Sequence, residues 1–163
     1  MGANVPFTPL HLGPGALFKA AGGERFSFMI FGGSQVLMDV EPLVHMIRGD
    51  AVLHGISHTV AGALVIGIVS AAVGRPVCSN LLHRAGVIDR PISWAVAWVS
   101  AFVDTYSHIA LDAVMHGDMN PLWPFAYGDP LLGVLSVRAL HLLCVACGAV
   151  GGLVVGLRHS RSA

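Results

Sequence analysis

In the stretch Asp104-Thr-Tyr-Ser-His108-Ile-Ala-Leu-Asp112-Ala-Val-Met-His116 an ionisable side chain recurs at every fourth position. A helix of 3.6 residues per turn draws that spacing into one slowly drifting stripe. Carboxylate oxygen and imidazole nitrogen together make a donor set for a divalent cation, so the chemistry this stripe offers is metal coordination. The competing reading is a polar network between helices, or a wet cavity.

Three other places offer the same atoms. His54-Gly-Ile-Ser-His58 sets two imidazoles four residues apart, able to share an ion if a helix already begins at His54 and otherwise a capping or interfacial pair. Asp39-Val-Glu41-Pro42 puts two carboxylates beside a helix-breaking proline, where a kink aims both at one point or leaves both solvated at a helix end. His11 precedes Gly13-Pro14-Gly15, where missing side chains let another helix come close. His45, His83, His141 and His159 read as interfacial or solvated histidines. Nitrogen and oxygen donors suit zinc, manganese or iron better than copper(I), with zinc first, and there are enough groups for one or two ions. Cys78, Cys144 and Cys147 read as small packing residues.

The elements that must position these groups are membrane helices. Of 163 residues, 55% are hydrophobic and 11% charged, with a mean hydropathy of +0.72, well above an ordinary soluble domain. Nine Lys and Arg balance nine Asp and Glu, leaving no basic stripe for nucleic acid. The apolar runs approach the roughly 20 residues that a membrane-crossing helix needs, and they lack the alternation of barrel strands. The expected fold is all-α, a single polytopic helical bundle with four full spans at about 26–47, 58–73, 92–115 and 131–157. A short helix at about 10–21, tilted or re-entrant, precedes them. Ser57 is the expected cap of the second span, Gly74-Arg75-Pro76 its end, and Cys78 to Arg90 a polar connection. The stretch His116 to Pro130 carries Trp123 and Tyr127, residues that favour a membrane–water interface. Met1 to Pro14 lacks a basic region followed by an apolar one, so no cleaved leader is expected.

Loop charge orients the bundle. With the loop Arg75 to Arg90 cytoplasmic, alternating spans bring Lys19, Arg25, Arg158 and Arg161 to the same side, and with them the C-terminus; Arg48 alone dissents. The same threading carries Asp39, Glu41, His45, His54, His58, His108, Asp112 and His116 to the opposite, outer face, and His11 joins them if the first short helix descends from that face. A proton or ion path across the bilayer would continue this polarity to the cytoplasmic side, and residues Ile92 to Val103 are apolar apart from serines.

The order of these motifs resembles the membrane-bound metal-dependent hydrolases of the bacterial inner membrane. The resemblance covers residues 8 to 125 and rests on Thr8-Pro-Leu-His11-Leu, Asp39-Val-Glu41-Pro42, His54-Gly-Ile-Ser-His58-Thr59, and Tyr106-Ser-His108-Ile-Ala-Leu-Asp112 followed by Pro121-Leu-Trp123-Pro124-Phe125. That last block is the most specific. The family's histidine pair has one more intervening residue and an arginine after the first histidine, where this chain has Gly55, and its acidic motif reads Asp-x-Asp-His. Its pattern does not demand a histidine at 116. The resemblance implies hydrolysis without naming a substrate.

Together these readings give a hydrolase acting through one or two divalent ions near the outer membrane face. His11, Asp39, His58, His108 and Asp112 are the first candidates as ligands, His54 the next, and Asp104 and His116 possible additions. Glu41 is the candidate general base, taking a proton from water whose pKa the ion has lowered. A site at this depth can draw its substrate from the bilayer, with a lipid phosphoester first. The alternative is a non-enzymatic metal-binding membrane protein or an accessory subunit of a membrane complex. A single shared site requires His58 and His108 within about 8 Å of each other, since metal–nitrogen bonds are about 2 Å long.

Overall fold

The apolar runs fold as helices throughout the computed structural model, which describes residues 9–162. They are α1 (Leu12–Gly22), α2 (Phe28–Met38), α3 (Val40–Arg48), α4 (Val60–Arg84), α5 (Trp94–Met115) and α6 (Val137–Ser162), with no strand among the described residues. Thr8 of the first motif, and most of the stretch read for a leader, lie outside those residues.

Local chemistry sets the boundaries. Ser27, Thr59 and Ser93 each accept a hydrogen bond from the backbone N–H three residues on, opening α2, α4 and α5. Thr59, not Ser57, therefore caps α4. The run expected as one span at 26–47 is broken at Asp39. Pro42 brings no N–H to the Met38 carbonyl and its ring would crowd that oxygen, so α2 ends at Met38 and Pro42 falls in the first turn of α3. At 11 residues α2 rises only about 16 Å, too short to cross a hydrocarbon core of about 30 Å.

The expected stop at Gly74-Arg75-Pro76 is overridden in the other direction, and α4 continues to Arg84 with Pro76 inside it. Packing supplies the reason. Beyond the proline, Cys78 and Ser79 are buried, Ser79 Oγ accepts the Ile92 N–H at 3.0 Å, and Arg75 Nε donates to the Ile92 carbonyl at 2.9 Å. The Arg75 guanidinium also lies 4.5 Å over the Trp94 ring. Half of the residues expected as a loop thus belong to helix. The helix expected from 131 begins at Val137, after a run of turns.

Among the described residues two helices, α4 and α6, are long and apolar enough to cross a membrane, and the all-helical bundle agrees with the expected fold class. Only 28% of the α4 window and 17% of the α6 window is buried inside the protein, unlike the core helix of a soluble domain. Leu64, Val65, Ile68, Val69 and Val73 on α4, and Leu142, Leu143, Val145, Val150 and Leu153 on α6, face outward.

Two packing units result. Helix α2 lies against α4 and α5, which also pack on each other, and α1 packs along α6. The second contact is backbone to backbone: a Cβ at Gly13 would strike the Cys144 carbonyl, and one at Gly151 the backbone of Ala16 and Leu17. One end of the molecule is basic, with Lys19 donating to the Gly23 and Phe26 carbonyls and Arg158 to that of Ala20. Helix α4 runs from Thr59 at the other end to Arg84 at this one, and α5 runs back. The polar ends of α2, α4 and α5 therefore meet at the pole opposite the basic one, over an apolar floor of Met38, Ala63, Ile109, Ala113 and Met119.

Candidate metal centre

The α5 stripe points inward: Asp104, His108 and Asp112 are all buried. The turn at Asp39 aims that carboxylate at the stripe, and the short helical turn Ile56–His58 before α4 brings in His58. Asp39, His58, His108 and Asp112 each offer a ligand atom within 4.8 Å of the others, so this buried group can hold a metal ion. His58 Nε2 lies 3.3 Å from His108 Nε2 and 3.3 Å from Asp112 Oδ2; His108 Nε2 lies 3.0 Å from Asp112 Oδ2 and 3.4 Å from Asp39 Oδ1. Four donors at about 2.0–2.1 Å around one tetrahedral ion would be about 3.3–3.4 Å apart. The His58–His108, His58–Asp112, His108–Asp112 and His108–Asp39 separations match that spacing, so these residues could hold a cation between them.

The hydrogen bonds behind His58 say which of its nitrogens is bare. Glu41 accepts the Ile56 N–H at 3.1 Å, the Ser57 N–H at 2.7 Å and the Ser57 hydroxyl. With its proton on Glu41, Ser57 Oγ can only accept from His58 Nδ1, 2.8 Å away. In the neutral imidazole that puts the proton on Nδ1 and leaves Nε2 as a lone pair facing a carboxylate oxygen and a second imidazole, an arrangement that a shared cation would reconcile. Burial raises the Glu41 carboxyl, but the bonds from Ser57 and Ile56 outweigh it and hold it below the usual carboxylate range.

Glu41 thus lies outside the cluster. It reaches the site only through Ser57 and His58, which places it behind a ligand and not beside a reacting water. Gly55 makes this approach possible, because a Cβ there would collide with the Glu41 carboxylate.

A second group adjoins the first: His54, His116 and Asp118. Asp118 Oδ2 accepts the Leu53 and His54 N–H groups at 2.8 and 3.2 Å, and its Oδ1 is 3.0 Å from His54 Nδ1. The His54 ring centroid is 4.2 Å from that of His116 and 4.8 Å from that of His58. Burial holds the imidazoles of His54 and His116 below their usual range, against the pull of Asp118 and Asp112. For Asp118 burial raises the carboxyl, and the Leu53 N–H and the His54 imidazole more than reverse it.

The sequence-derived candidates thus fall into classes. Asp39, His58, His108 and Asp112 form the buried group. His11 touches it, with Nε2 3.5 Å from Asp112 Oδ1 and its ring edge-on to His108. His54 and His116 form the adjoining group. Asp104, a turn away from His108, belongs to neither; it is fully buried, with the Gln35 side chain as its polar neighbour and no well-formed hydrogen bond to either oxygen among the described residues. His45, set aside as a ligand, bonds the Leu53 carbonyl through Nδ1 at 2.9 Å.

Asp118 is the residue that sequence reading missed. It lies in a Gly-, Pro- and Asp-rich turn, and its partners are 64 and 65 positions away, so no periodicity reports it. Its one local signal is its place two residues after His116. Comparison with protein-family models, with curated proteins and with solved structures finds no match for this chain.

Proposed function

We propose that this chain is a membrane-embedded metal-dependent hydrolase, related to the bacterial inner-membrane hydrolases that its motifs resemble. The observation that carries the reading is the buried quartet Asp39, His58, His108 and Asp112, whose donor atoms converge at ligand-to-ligand spacing. Zinc is the first choice of ion for two imidazoles and two carboxylates, with manganese or iron next. A bound ion of this kind supplies Lewis acidity and a nucleophile at neutral pH. The chain's own part is to hold and orient. Glu41 and Ser57 fix the His58 tautomer, Asp39 and Asp112 supply negative charge, and the apolar floor below excludes water.

A lipid phosphoester is the proposed substrate class. An apolar cavity of about 470 Å³, lined by Leu37, Val40, Ile56, Ala61, Val65 and Ile66, opens on the outer surface and has Glu41 and Ser57 at its polar end. An acyl chain in that cavity would bring its ester to the residue preceding His58. The site belongs at the outer face of the bacterial inner membrane, with the basic pole and the C-terminus cytoplasmic, on the argument from loop charge.

One observation favours a second reading. All four members of the quartet are at most 6% exposed, and a closed, fully protein-ligated ion is the mark of a structural site. The chain would then be a non-enzymatic metal-binding membrane protein or an accessory subunit.

Metal analysis of the purified protein, beside His108→Ala and Asp112→Ala, followed by a hydrolysis panel of lipid and soluble phosphoesters, separates these. Metal in the parent, its loss in both variants and turnover that falls with it are the expected results. Undiminished metal in both variants would overturn the site, and metal loss with no turnover on any ester would leave the structural reading.

A further inference from the structure

The two oxygens of Asp112 face different histidine groups. Oδ2 lies 3.3 Å from His58 Nε2 and 3.0 Å from His108 Nε2, inside the quartet. Oδ1 turns the other way, with His11 Nε2 at 3.5 Å and His116 Nε2 at 3.9 Å. On this second side the imidazole nitrogens are in excess of anything that could bond them. Both nitrogens of His11 and Nε2 of His54 are buried without a hydrogen-bond partner among the described residues, although these two histidines are 1% and 4% exposed. A buried imidazole nitrogen left unpaired loses its hydration without recompense, and three together ask for an occupant.

We infer that the chain holds a second divalent cation beside the first, bound by His54 and His116 and bridged to the quartet's ion by Asp112. The inference rests on the reading of the quartet as a metal site and extends it to a two-ion centre. His54 is set up as a ligand in the same manner as His58. Asp118 takes its Nδ1–H, so that Nε2 is bare, and the backbone N–H groups of Leu53 and His54 fix Asp118 in turn. His116 follows Asp112 by four residues, which puts both on one helix face, and its ring lies against that of His54. His11 is placed to complete the site from the far side of Asp112 Oδ1.

This second position is the open one. His116 is partly exposed, and a cavity of about 190 Å³ lined by His54, Gly55, Ile56, Thr59, Asn120 and Trp123 reaches His54 from outside. The quartet is closed. In a two-ion centre with ions about 3.5–4 Å apart, one buried and one accessible, a phosphoester would enter at the accessible ion. The closed coordination that favours a structural role for the first ion then ceases to count against hydrolysis.

The test uses the full chain in detergent, stripped with a chelator and reloaded with Mn²⁺ alone. Two ions per chain with a spin-coupled low-temperature electron paramagnetic resonance spectrum are expected. His116→Ala, His116→Asn and His54→Gln should each bind one ion with an isolated, six-line signal, at unchanged helical circular dichroism. Asp118→Asn should keep two ions but weaken the second about 10–100-fold. One ion in the parent, two uncoupled ions, two ions retained in the His116 variants, or both lost from every variant would each overturn the inference. No ion at all in the parent would overturn the quartet as well. Two coupled ions without turnover would instead sink the hydrolase reading and leave this one standing.

Discussion

At His58, a candidate ligand, the tautomer is set by residues outside the quartet. Glu41 accepts the Ser57 hydroxyl hydrogen bond, Ser57 Oγ accepts from His58 Nδ1–H, and in the neutral imidazole Nε2 is left bare toward the quartet. Replacing Ser57 by Ala, or Glu41 by Gln, should weaken metal binding about 10–100-fold in competition with a chromophoric chelator, at unchanged helicity. An unaltered affinity would mean that the tautomer is set by something else. Asp104 makes the contrasting case. Although it belongs to the same every-fourth-residue stripe, its buried carboxyl faces the Gln35 side chain and makes no well-formed hydrogen bond among the described residues, so Asp104→Asn should keep full metal content and a melting temperature no lower than the parent's. Loss of metal in that variant would place Asp104 among the ligands. The contrast shows what was legible. Polar side chains in an apolar helix at helical spacing announced His108 and Asp112, and span order announced that Asp39 and His58 would meet them. The stripe alone did not say where the ion stops, and the bonds of Glu41 and Asp118 are made by loops whose course no local pattern records.

At the level of elements, the helices were legible as apolar runs and their ends were not, because the ends are settled by tertiary contacts. Pro76 was read as a stop, yet Ser79 and Arg75 tie the continuation of α4 to the entry of α5. Pro42 was read as a kink near the end of one span, and the break falls three residues earlier, at the residue that coordination needs. The pairing of α1 with α6 has no hydrophobic stripe to report it and depends on small residues instead. Gly151 sits where a side chain would strike the α1 backbone at Ala16. Gly151→Leu should therefore pry α6 from α1, lower the melting temperature by several degrees and weaken metal binding as His11 moves, whereas the same change at Gly152, which faces open space, should do neither. Equal effects at the two positions would mean that α6 is held elsewhere.

Across the whole molecule the polar groups divide between two poles, a basic one and one carrying the candidate metal site, and that division yields two measurements. In a chain with its three cysteines replaced by serine, Asp50→Cys should react with an impermeant maleimide on intact cells and Asp89→Cys only after permeabilisation; the reverse would invert the proposed orientation. The second measurement concerns what holds the metal pole closed. Its ligands come from the α2–α3 junction, the turn before α4 and the last turns of α5, with His11 reaching in from the start of α1. In the absence of a cation, these elements meet through imidazole–carboxylate contacts of 3.0–3.5 Å and the 3.3 Å approach of His58 Nε2 to His108 Nε2, which a shared cation would bind together more firmly. A ligand that binds only the assembled state stabilises it by about 2.7 kcal/mol when present at a hundredfold its dissociation constant. For a chain of this size that corresponds to roughly 5–10 °C in melting temperature. Adding a chelator should therefore lower the melting temperature of the parent by about that amount and reversibly, with zinc restoring it. Asp112→Ala should melt at one temperature with or without the chelator. If the parent also shows no chelator-dependent shift, the metal pole is held by packing alone, and the convergence of Asp39, His58, His108 and Asp112 would need another occupant, such as shared protons.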